Sequence, residues 1–316
     1  MGLLKLFDHW FDFKCPELPD LGGHSANLLA SLLTMAWLVE ARDPYTGGHL
    51  WRVSMYARLL AERVGLNDAD AARFSLGGFL HDLGKVSVPD AILRKTDALT
   101  PSEYAIIKTH PEMGVRMLAG HPLAGLVADA IRSHHERPDG HGYPDRLLET
   151  GIPRIAKVVG VCDAFDAMTS ERPYRHGMAP AEACAIIRKL AGAQFSSEYS
   201  SQFVAMCEEG LFDCIVGYSD HGIPLQTCPR CGPTLTIRRE QGAGARVYCH
   251  NCGAEFSLET AAGRVVVTPT GAMGNAEQLQ IEVDSMLISR TVRALAEMLP
   301  MLDFHSSQSQ FVGQTT

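Results

Sequence analysis

Residues 74–85 read Phe-Ser-Leu-Gly-Gly-Phe-Leu-His-Asp-Leu-Gly-Lys. Apolar residues recur at helical spacing in this stretch and before it, so we expect a helix that ends at Gly84. Adjacent helix positions diverge by about 100°, and His81 and Asp82 can therefore approach one metal centre from two directions. The carboxylate can also bridge two ions with its two oxygens. Taken alone, the stretch fits a metal site and an ordinary helix terminus equally well.

The same periodicity continues over most of the chain. Apolar spacing and capping signals predict helix after helix from Ser25 to about Glu209, without an alternating strand pattern. One of these signals is a capping box at residues 100–103, with Pro101 at the first helical position. The expected fold class is therefore mostly α.

The pattern changes after Gly217, where short stretches rich in glycine, proline and threonine follow. Residues 235–237 and 246–248 read as the two strands of a hairpin, and residues 264–268 read as a further strand. An amphipathic helix is plausible over about residues 276–301. It could pack on the strands, pair with another subunit, or do both.

Composition limits the classes of function. The 316 residues allow about two domains, and 46% hydrophobic with 20% charged residues is typical of a globular protein. The net charge of −8 argues against bulk nucleic-acid binding. Nine cysteines, an odd number, and the lack of a signal-peptide pattern indicate a reducing cytosol, so a cytoplasmic protein is expected. No run approaches the roughly 18 apolar residues of a membrane span.

Histidines are concentrated in one part of the chain, because seven of the 13 lie within the 93 residues from His49 to His141. Histidine is the commonest metal ligand and a frequent acid or base near neutral pH. Asp163 lies in a strongly apolar predicted helix, where a buried carboxylate is costly without a partner such as a metal ion. Nitrogen and oxygen ligands suit Fe, Mn, Ni, Co or Zn. The candidate ligands are His49, His81, Asp82, His110, His134, His135 and Asp163.

These residues occur in the order of a known family. Between about Trp37 and Phe203 the chain resembles the HD-GYP family in His49, residues 81–85, His110, residues 134–136 and residues 139–144. The HDxGK motif marks only the wider HD phosphohydrolase superfamily, whereas HHExxDGxGYP is specific to HD-GYP proteins.

The resemblance implies a helical bundle around a metal centre that hydrolyses cyclic di-GMP to pGpG, GMP or both. One ion, Fe, Mn or similar, would be bound by His49, His81, Asp82 and Asp163. A second ion would share the Asp82 bridge and be bound by His110, His134 and, nearby, His135. Two such ions lower the pKa of a water molecule and orient the phosphodiester. Asp82 and Lys85 would be the catalytic residues, because Lys85 would neutralise charge on a phosphate oxygen.

The resemblance also implies a set of substrate contacts. Arginine forks fit phosphates, and a carboxylate can accept hydrogen bonds from guanine. A tyrosine can stack on the substrate or bond to it. The expected contacts are Lys85, Tyr143, Asp166, Arg172 and Arg175. For the two arginines, a solvated basic turn is the alternative.

The chain departs from the family pattern at two places. Some relatives bind a third metal through a glutamate four residues before the first ligand histidine, and Tyr45 stands there instead. We therefore expect a dinuclear centre. Many relatives read Phe-Asp-Pro near the domain end, whereas Phe195 is followed by Ser196 and Ser197. A serine can still cap the next helix, so activity should be retained.

A second metal site is indicated by two CxxC motifs separated by 17 residues, Cys228–Cys231 and Cys249–Cys252. Four thiolates at this spacing are typical of a tetrahedral structural zinc, and the segment resembles a zinc ribbon. A thioredoxin-like redox motif is the alternative, but neither motif lies in a βαβ context. Zinc would supply most of the stability of so small a module. We prefer a structural or protein-binding role to nucleic-acid contact.

The sequence therefore predicts a mostly α protein with a β-rich appendage. Its parts are an N-terminal segment (1–24), an HD-GYP domain (25–216), a zinc ribbon (222–272), a C-terminal amphipathic helix (273–304) and a disordered tail (305–316). The leading hypothesis is a bacterial cyclic di-GMP phosphodiesterase. The alternatives are a phosphohydrolase of another cyclic dinucleotide or nucleotide, and an adaptor that binds cyclic di-GMP without turnover. A homodimer and a protein partner for the ribbon are further hypotheses.

Overall fold

The described residues between His24 and Gly217 fold mainly into helices, as the periodicity predicts. The computed structural model describes residues 24–43, 46–171, 176–261 and 264–299. Its α-helices are α1 (His24–Glu40), α2 (His49–Arg63), α3 (Asp68–Leu80), α4 (Asp90–Leu93), α5 (Pro101–Ile107), α6 (His110–Met117), α7 (Ala124–Ser133), α8 (Arg154–Thr169), α9 (Pro180–Lys189), α10 (Ser197–Glu208) and α11 (Ser285–Met298). Short 3₁₀ turns cover Leu83–Ser87 and Glu149–Gly151. No helix within these ranges has the length and apolar character needed to cross a bilayer.

The starts of two helices test the capping hydrogen bonds that the sequence predicts. The capping box of α5 is confirmed, because the Thr100 hydroxyl accepts from the Glu103 amide at 3.3 Å and the Glu103 carboxylate accepts from the Thr100 amide at 2.7 Å. The prediction that a serine side chain caps α10 is wrong. Ser196 stands at the cap position, but its hydroxyl donates to Glu149 Oε1 at 2.9 Å. This bond ties the start of α10 to the 3₁₀ turn instead.

The centre of the bundle is a cluster of aromatic side chains. Tyr56 of α2, Phe165 of α8, Phe203 of α10 and Phe212 contact one another edge to face or tilted, with ring centroids 4.7–6.0 Å apart. Full burial of such a side chain contributes about 1.5–3 kcal/mol. The cluster therefore holds α2 and α8 firmly against each other, and these two helices carry His49 and Asp163.

The strands form three small antiparallel sheets. Their ranges are β1 (Tyr218–Asp220), β2 (Ile223–Pro224), β3 (Gln226–Thr227), β4 (Thr234–Leu235), β5 (Arg246–Tyr248), β6 (Ala254–Ala261) and β7 (Arg264–Met273). The sheet orders are β1-β2, β3-β4 and β5-β6-β7. We call residues 222–273 the ribbon.

The expected hairpin between residues 235–237 and 246–248 is wrong. Instead, β4 pairs with β3 and β5 pairs with β6. Each CxxC motif is the turn of its own hairpin, because the Cys228 amide donates to the Pro233 carbonyl and the Cys249 amide donates to the Ala254 carbonyl. Pairing across the cysteine turns places all four cysteines at one end of the two hairpins.

The C-terminal helix is shorter than predicted and packs on the bundle. It starts at Ser285 because the Asp284 side chain accepts a hydrogen bond from the Leu287 amide at 2.8 Å. Val292 and Leu295 are buried in the bundle core, against α1 and α3. The apolar face of the helix thus packs on the bundle, which neither expected alternative included, while Arg290 also reaches Asp220 of β1. The segment 1–23 and the tail from 300 onwards lie outside the described residues.

Candidate metal centre and substrate site

The predicted metal ligands come from separate segments of the bundle and meet at one place. His49 begins α2, His81 and Asp82 follow α3, His110 begins α6, His134 and His135 follow α7, and Asp163 lies in α8. Their donor atoms form overlapping groups in which all atoms lie within 4.8 Å of one another. The groups are His49, His81 and Asp163; His81, Asp82 and His134; and His110, His134 and His135. The structure therefore brings all seven predicted ligands together.

Gly84 allows two of these segments to touch. A Cβ on this residue would overlap the carbonyl oxygen of His110 and lie 2.5 Å from the amide nitrogen of Gly114. The helix itself ends at Leu80, four residues earlier than expected. The glycine therefore serves the close contact with α6 and does not end α3.

Four of the histidines are oriented by the same kind of contact. Each Nδ1 lies against an oxygen: His49 against Asp166 Oδ2 at 2.8 Å, His81 against the Gly78 carbonyl at 2.7 Å, His110 against the Ile107 carbonyl at 2.7 Å, and His134 against the Ala130 and Ile131 carbonyls at 3.0 Å. These oxygens can only accept, so Nδ1 donates. Such contacts fix the tautomer and direct Nε2 towards a metal.

Asp82 lies between the two halves of the ligand set. Its Oδ1 is 3.3 Å from His110 Nε2, and its Oδ2 is 3.3 Å from His81 Nε2. Oδ2 also accepts from Lys85 Nζ at 2.5 Å. The two carboxylate oxygens thus face different histidines, as a bridging ligand requires. Lys85, predicted to meet a phosphate, is paired with this carboxylate and remains 27% exposed.

Burial and charge set the protonation states of these groups. Burial lowers the pKa of His110 to about 4 and that of His135 to about 3, so both rings are neutral at neutral pH. Burial alone would also lower the pKa of His81, but the Asp82 carboxylate outweighs it and raises this pKa to about 9. Burial would raise the pKa of Asp82, yet Lys85 and His81 hold it well below its usual range. The Asp82 carboxylate therefore favours a positive charge beside it, which a bound cation would also supply.

One observation that does not depend on sequence motifs also indicates that these residues can hold a metal ion. His81 Nε2 is fully buried and forms no well-aligned hydrogen bond with a described residue, although the carboxylates of Asp82 and Asp163 lie 3.3 and 3.8 Å away. A buried polar atom left without such a partner is costly and calls for an explanation. A divalent ion would satisfy it, since imidazoles and carboxylates together suit Fe, Mn, Ni, Co or Zn.

Asp166, which the sequence predicts to contact guanine, is buried and paired with an arginine. Its side chain is 1% exposed, and Arg52 binds it with two nitrogens, Nε to Oδ1 at 2.6 Å and Nη2 to Oδ2 at 2.9 Å. Oδ2 also accepts from His49 Nδ1. Burial would raise the pKa of Asp166, but Arg52 and His49 hold it far below its usual range. In the described structure this carboxylate is occupied by Arg52 and His49, and its contact with guanine stays a prediction.

No motif includes Arg52, although the sequence carries a signal for it. An arginine three residues after a ligand histidine lies on the same helix face as that histidine. Arg52 is only 1% exposed, and a buried guanidinium requires a carboxylate partner. The spacing from His49 therefore could have pointed to a partner such as Asp166.

Glu136 shapes the loop that carries Tyr143. Its carboxylate accepts from the backbone amides of Asp145, Arg146 and Leu147 at 2.6, 3.1 and 2.8 Å. The Tyr143–Pro144 peptide bond is cis. Tyr143 stacks on the His135 ring, with centroids 4.6 Å apart and an angle of 29° between planes. The predicted substrate residue thus borders the ligand set.

Tyr104 and Lys108 lie near Tyr143, at the edge of the ligand set. Lys108 Nζ lies 5.1 Å from the ring centroid of Tyr104 and 6.0 Å from that of Tyr143. Tyr104 is 47% exposed. Neither belongs to a family motif, and their spacing of four residues just before His110 is the only signal in the sequence. The predicted substrate contacts Arg172 and Arg175, and Tyr45 at the position of a possible third-metal ligand, lie outside the described residues.

The four ribbon cysteines form a separate cluster. Measured sulfur distances are 3.7 Å for Cys228–Cys231, 3.8 Å for Cys228–Cys252 and 3.5 Å for Cys231–Cys249. Sulfurs bound tetrahedrally at about 2.3 Å to one zinc ion lie about 3.8 Å apart, whereas a disulfide needs about 2.05 Å. The cluster therefore has the dimensions of a four-thiolate metal site.

Comparisons with known proteins agree with the motifs. A family model described as HD domain matches residues 34–198. A cyclic di-GMP phosphodiesterase of Thermotoga maritima is 38% identical over 174 residues, 54% of this chain and 47% of the relative. One from Pseudomonas aeruginosa is 40% identical over 166 residues, 52% of this chain and 38% of the relative. A 3′3′-cGAMP-specific phosphodiesterase of Vibrio cholerae is 38% identical over 143 residues, 45% of this chain and 27% of the relative.

The matched part of this chain spans less than half the length of each of these relatives. The ribbon and α11 lie beyond the family match, which ends at residue 198.

Proposed function

Because the chain belongs to the HD domain family, we propose that it is a metal-dependent phosphodiesterase that hydrolyses cyclic di-GMP to pGpG, GMP or both. The observation that carries the proposal is the convergence of seven ligand side chains around Asp82. The similarity to cyclic di-GMP phosphodiesterases supports the substrate. The ordered HDxGK and GYP motifs support assignment to the HD-GYP branch.

Two divalent ions at this site, Fe, Mn or similar, would lower the pKa of a water molecule and stabilise charge on the phosphodiester. Asp82 presents one oxygen to each half of the ligand set, so one side chain can serve both positions. Lys85 is flexible and partly exposed, and its ammonium can turn from Asp82 to a phosphate oxygen of the substrate. Asp166 acts through His49, and its contact with guanine stays a prediction.

The direct test uses the full chain loaded with Mn²⁺ or Fe²⁺. Chromatography of the products should show cyclic di-GMP converted to pGpG or GMP, and metal analysis should show two ions at the His and Asp site. A fully loaded protein without product contradicts the proposal. Tight binding of cyclic di-GMP without turnover, measured by calorimetry, would favour the adaptor hypothesis.

A second candidate substrate is 3′3′-cGAMP, because a relative with that specificity shares 38% identity. Comparing kcat/KM for the two cyclic dinucleotides on one preparation decides between them. The ligand set serves either substrate, since both contain the same kind of phosphodiester.

Tyr104 and Lys108 are expected to contribute to substrate binding. Base stacking on an aromatic ring contributes about 1–3 kcal/mol, so Tyr104→Ala should raise KM for cyclic di-GMP by about 5- to 150-fold. Turnover of bis(p-nitrophenyl) phosphate, which has no purine, should stay unchanged. Tyr104→Phe keeps the ring and should behave like the wild type. Ile106→Ala, an exposed position on the same helix, is the matched control. Equal KM values for Tyr104→Ala and the wild type would contradict this contact.

We propose one structural zinc ion in the cysteine cluster. Cys231→Ser should remove one zinc per chain and unfold the ribbon, because metal binding supplies most of the folding free energy of such a module. Metal analysis and hydrogen exchange over residues 222–273 measure both effects. Cys214→Ser, outside the cluster, should keep the zinc. An unchanged zinc content in Cys231→Ser would refute the site. A cytoplasmic location, a homodimer and a protein partner of the ribbon stay predictions.

A further inference from the structure

The strands after Gly217 pack directly on the turn that precedes the ligand His49. A Cβ on Gly48 would overlap the backbone of Ser219 in β1, and a Cβ on Gly47 would lie 3.0 Å from Thr236 Oγ1 of the ribbon. Gly48 also has a φ of 74°, a conformation that favours glycine. The contacts leave no room for a side chain at either glycine, so a movement of the strands towards this turn would displace the start of α2.

Hydrogen bonds of Arg52 also connect the turn before His49 to β1. Arg52 Nη1 donates to the carbonyl oxygens of Tyr218 at 2.9 Å and Gly47 at 3.0 Å. The remaining nitrogens of the same guanidinium bind Asp166, which accepts from His49 Nδ1. One buried side chain thus joins β1, the glycine turn and the carboxylate that orients the ligand.

β1 is in turn held by the ribbon and by α11. Asp220 of β1 is 4% exposed and accepts from Arg239 Nη2 of the ribbon at 3.2 Å and from Arg290 of α11. Its Oδ1 also accepts from the His221 amide at 2.7 Å. Removing one partner from a buried ion pair is strongly destabilising, because it leaves an uncompensated charge. Asp220 is therefore the point at which both appended elements fix β1.

We infer that the ribbon and β1, joined through Asp220, position the metal ligand His49. Asp220, Arg239 and Arg52 are positioning residues in this arrangement, since none of them belongs to the ligand set. The inference rests on the metal centre of the proposed function. It gives the ribbon a role in the reaction, which the family match, ending at residue 198, does not assign. Partners that orient metal ligands typically change metal affinity by about 10- to 100-fold when they are removed.

The experiment measures Mn²⁺ binding by the full chain with its ribbon zinc in place. Asp220→Asn should raise the Mn²⁺ dissociation constant by up to about 10-fold, the low end for direct partners of a ligand, because Asp220 acts on His49 through β1, Arg52 and Asp166. It should also change the electron paramagnetic resonance spectrum of bound Mn²⁺. Arg239→Gln acts from the ribbon side, where the side chain is 35% exposed, and cannot unfold the bundle core. It should change the affinity in the same direction, and Arg239→Lys should restore part of it.

Arg238→Gln is the matched control, because the neighbouring arginine pairs with Glu282 and Glu240 and not with β1. It should leave Mn²⁺ affinity and the spectrum unchanged. If Asp220→Asn and Arg239→Gln keep the wild-type affinity and spectrum, the inference is wrong, even if Asp220→Asn melts at a lower temperature.

Different results would refute the proposed function and the inference about the ribbon. A wild type that binds Mn²⁺ but does not hydrolyse cyclic di-GMP refutes the activity, while the variants still decide the role of the ribbon. A wild type that binds no divalent ion at the His and Asp site overturns both.

Discussion

Asp82→Asn is expected to lower kcat for cyclic di-GMP by at least about 100-fold and to reduce the metal content of the His and Asp site. Loss of one preorganised electrostatic group commonly costs about 100- to 1,000-fold in kcat. Here the change also removes the charge that faces both halves of the ligand set. The Asp82 oxygens lie 3.3 Å from His110 and His81, whereas the Asp163 carboxylate faces His49 and His81 at 3.5 and 3.8 Å. Steady-state kinetics and metal analysis on the same preparations measure the two effects.

Asp129→Asn provides the matched control for this substitution. Its side chain is 58% exposed, and its nearest cation, on Arg73, lies 3.8 Å away. The control should keep full turnover and full metal content. If Asp82→Asn also keeps both, Asp82 is not a bridging ligand and the assignment of the metal centre is wrong.

Arg52→Ala is expected to destabilise the fold by about 3–5 kcal/mol, because it leaves Asp166 buried without its cation. The two side chains are each 1% exposed and share two hydrogen bonds. Urea unfolding measures the change in the free energy of unfolding. The affinity for Mn²⁺ should fall as well, since Asp166 would no longer be held against His49.

The comparison variants separate burial from charge. Arg63→Ala, on the same helix, removes an exposed pair with Glu209 and should cost no more than about 1 kcal/mol. Arg52→Lys keeps the charge but loses the planar fork, so an intermediate loss is expected. Replacing Arg52 and Asp166 together by apolar residues should cost less than the sum of the single changes. Additive losses would show that the two side chains do not act as a pair.

The presence of most helices and the candidate metal ligands were accessible from the sequence because both depend on local features, whereas some helix ends were not. The capping box of α5 needs only Thr100 and Glu103, which lie three residues apart and form both predicted bonds. His81 and Asp82 are adjacent, and their chemistry is that of metal ligands wherever the chain places them. The CxxC spacing likewise predicts a cysteine cluster without knowledge of the strands around it.

Strand pairing in the ribbon was not accessible in the same way. Two strand-like stretches do not specify their partners, because several antiparallel arrangements satisfy the same residues. The turns at the cysteines determine the strand pairing, because they join β3 to β4 and β5 to β6. The helix over Ser285–Met298 shows a similar limit, since its apolar face fits a subunit interface as well as the bundle core in which it lies.

Residue types and short spacings alone indicated that this chain is mostly helical and carries two sets of side chains that could hold metal ions. Assembly of the fold decided what each buried charge does. The family motif predicts that the Asp166 carboxylate contacts the substrate. In the structure this carboxylate is buried against Arg52 and accepts a hydrogen bond from His49. Likewise, only packing brings Ser219 and Thr236 against the turn before that histidine. The role of a charged or small residue depends on the dielectric around it and on the atoms that it meets, and distant segments supply both.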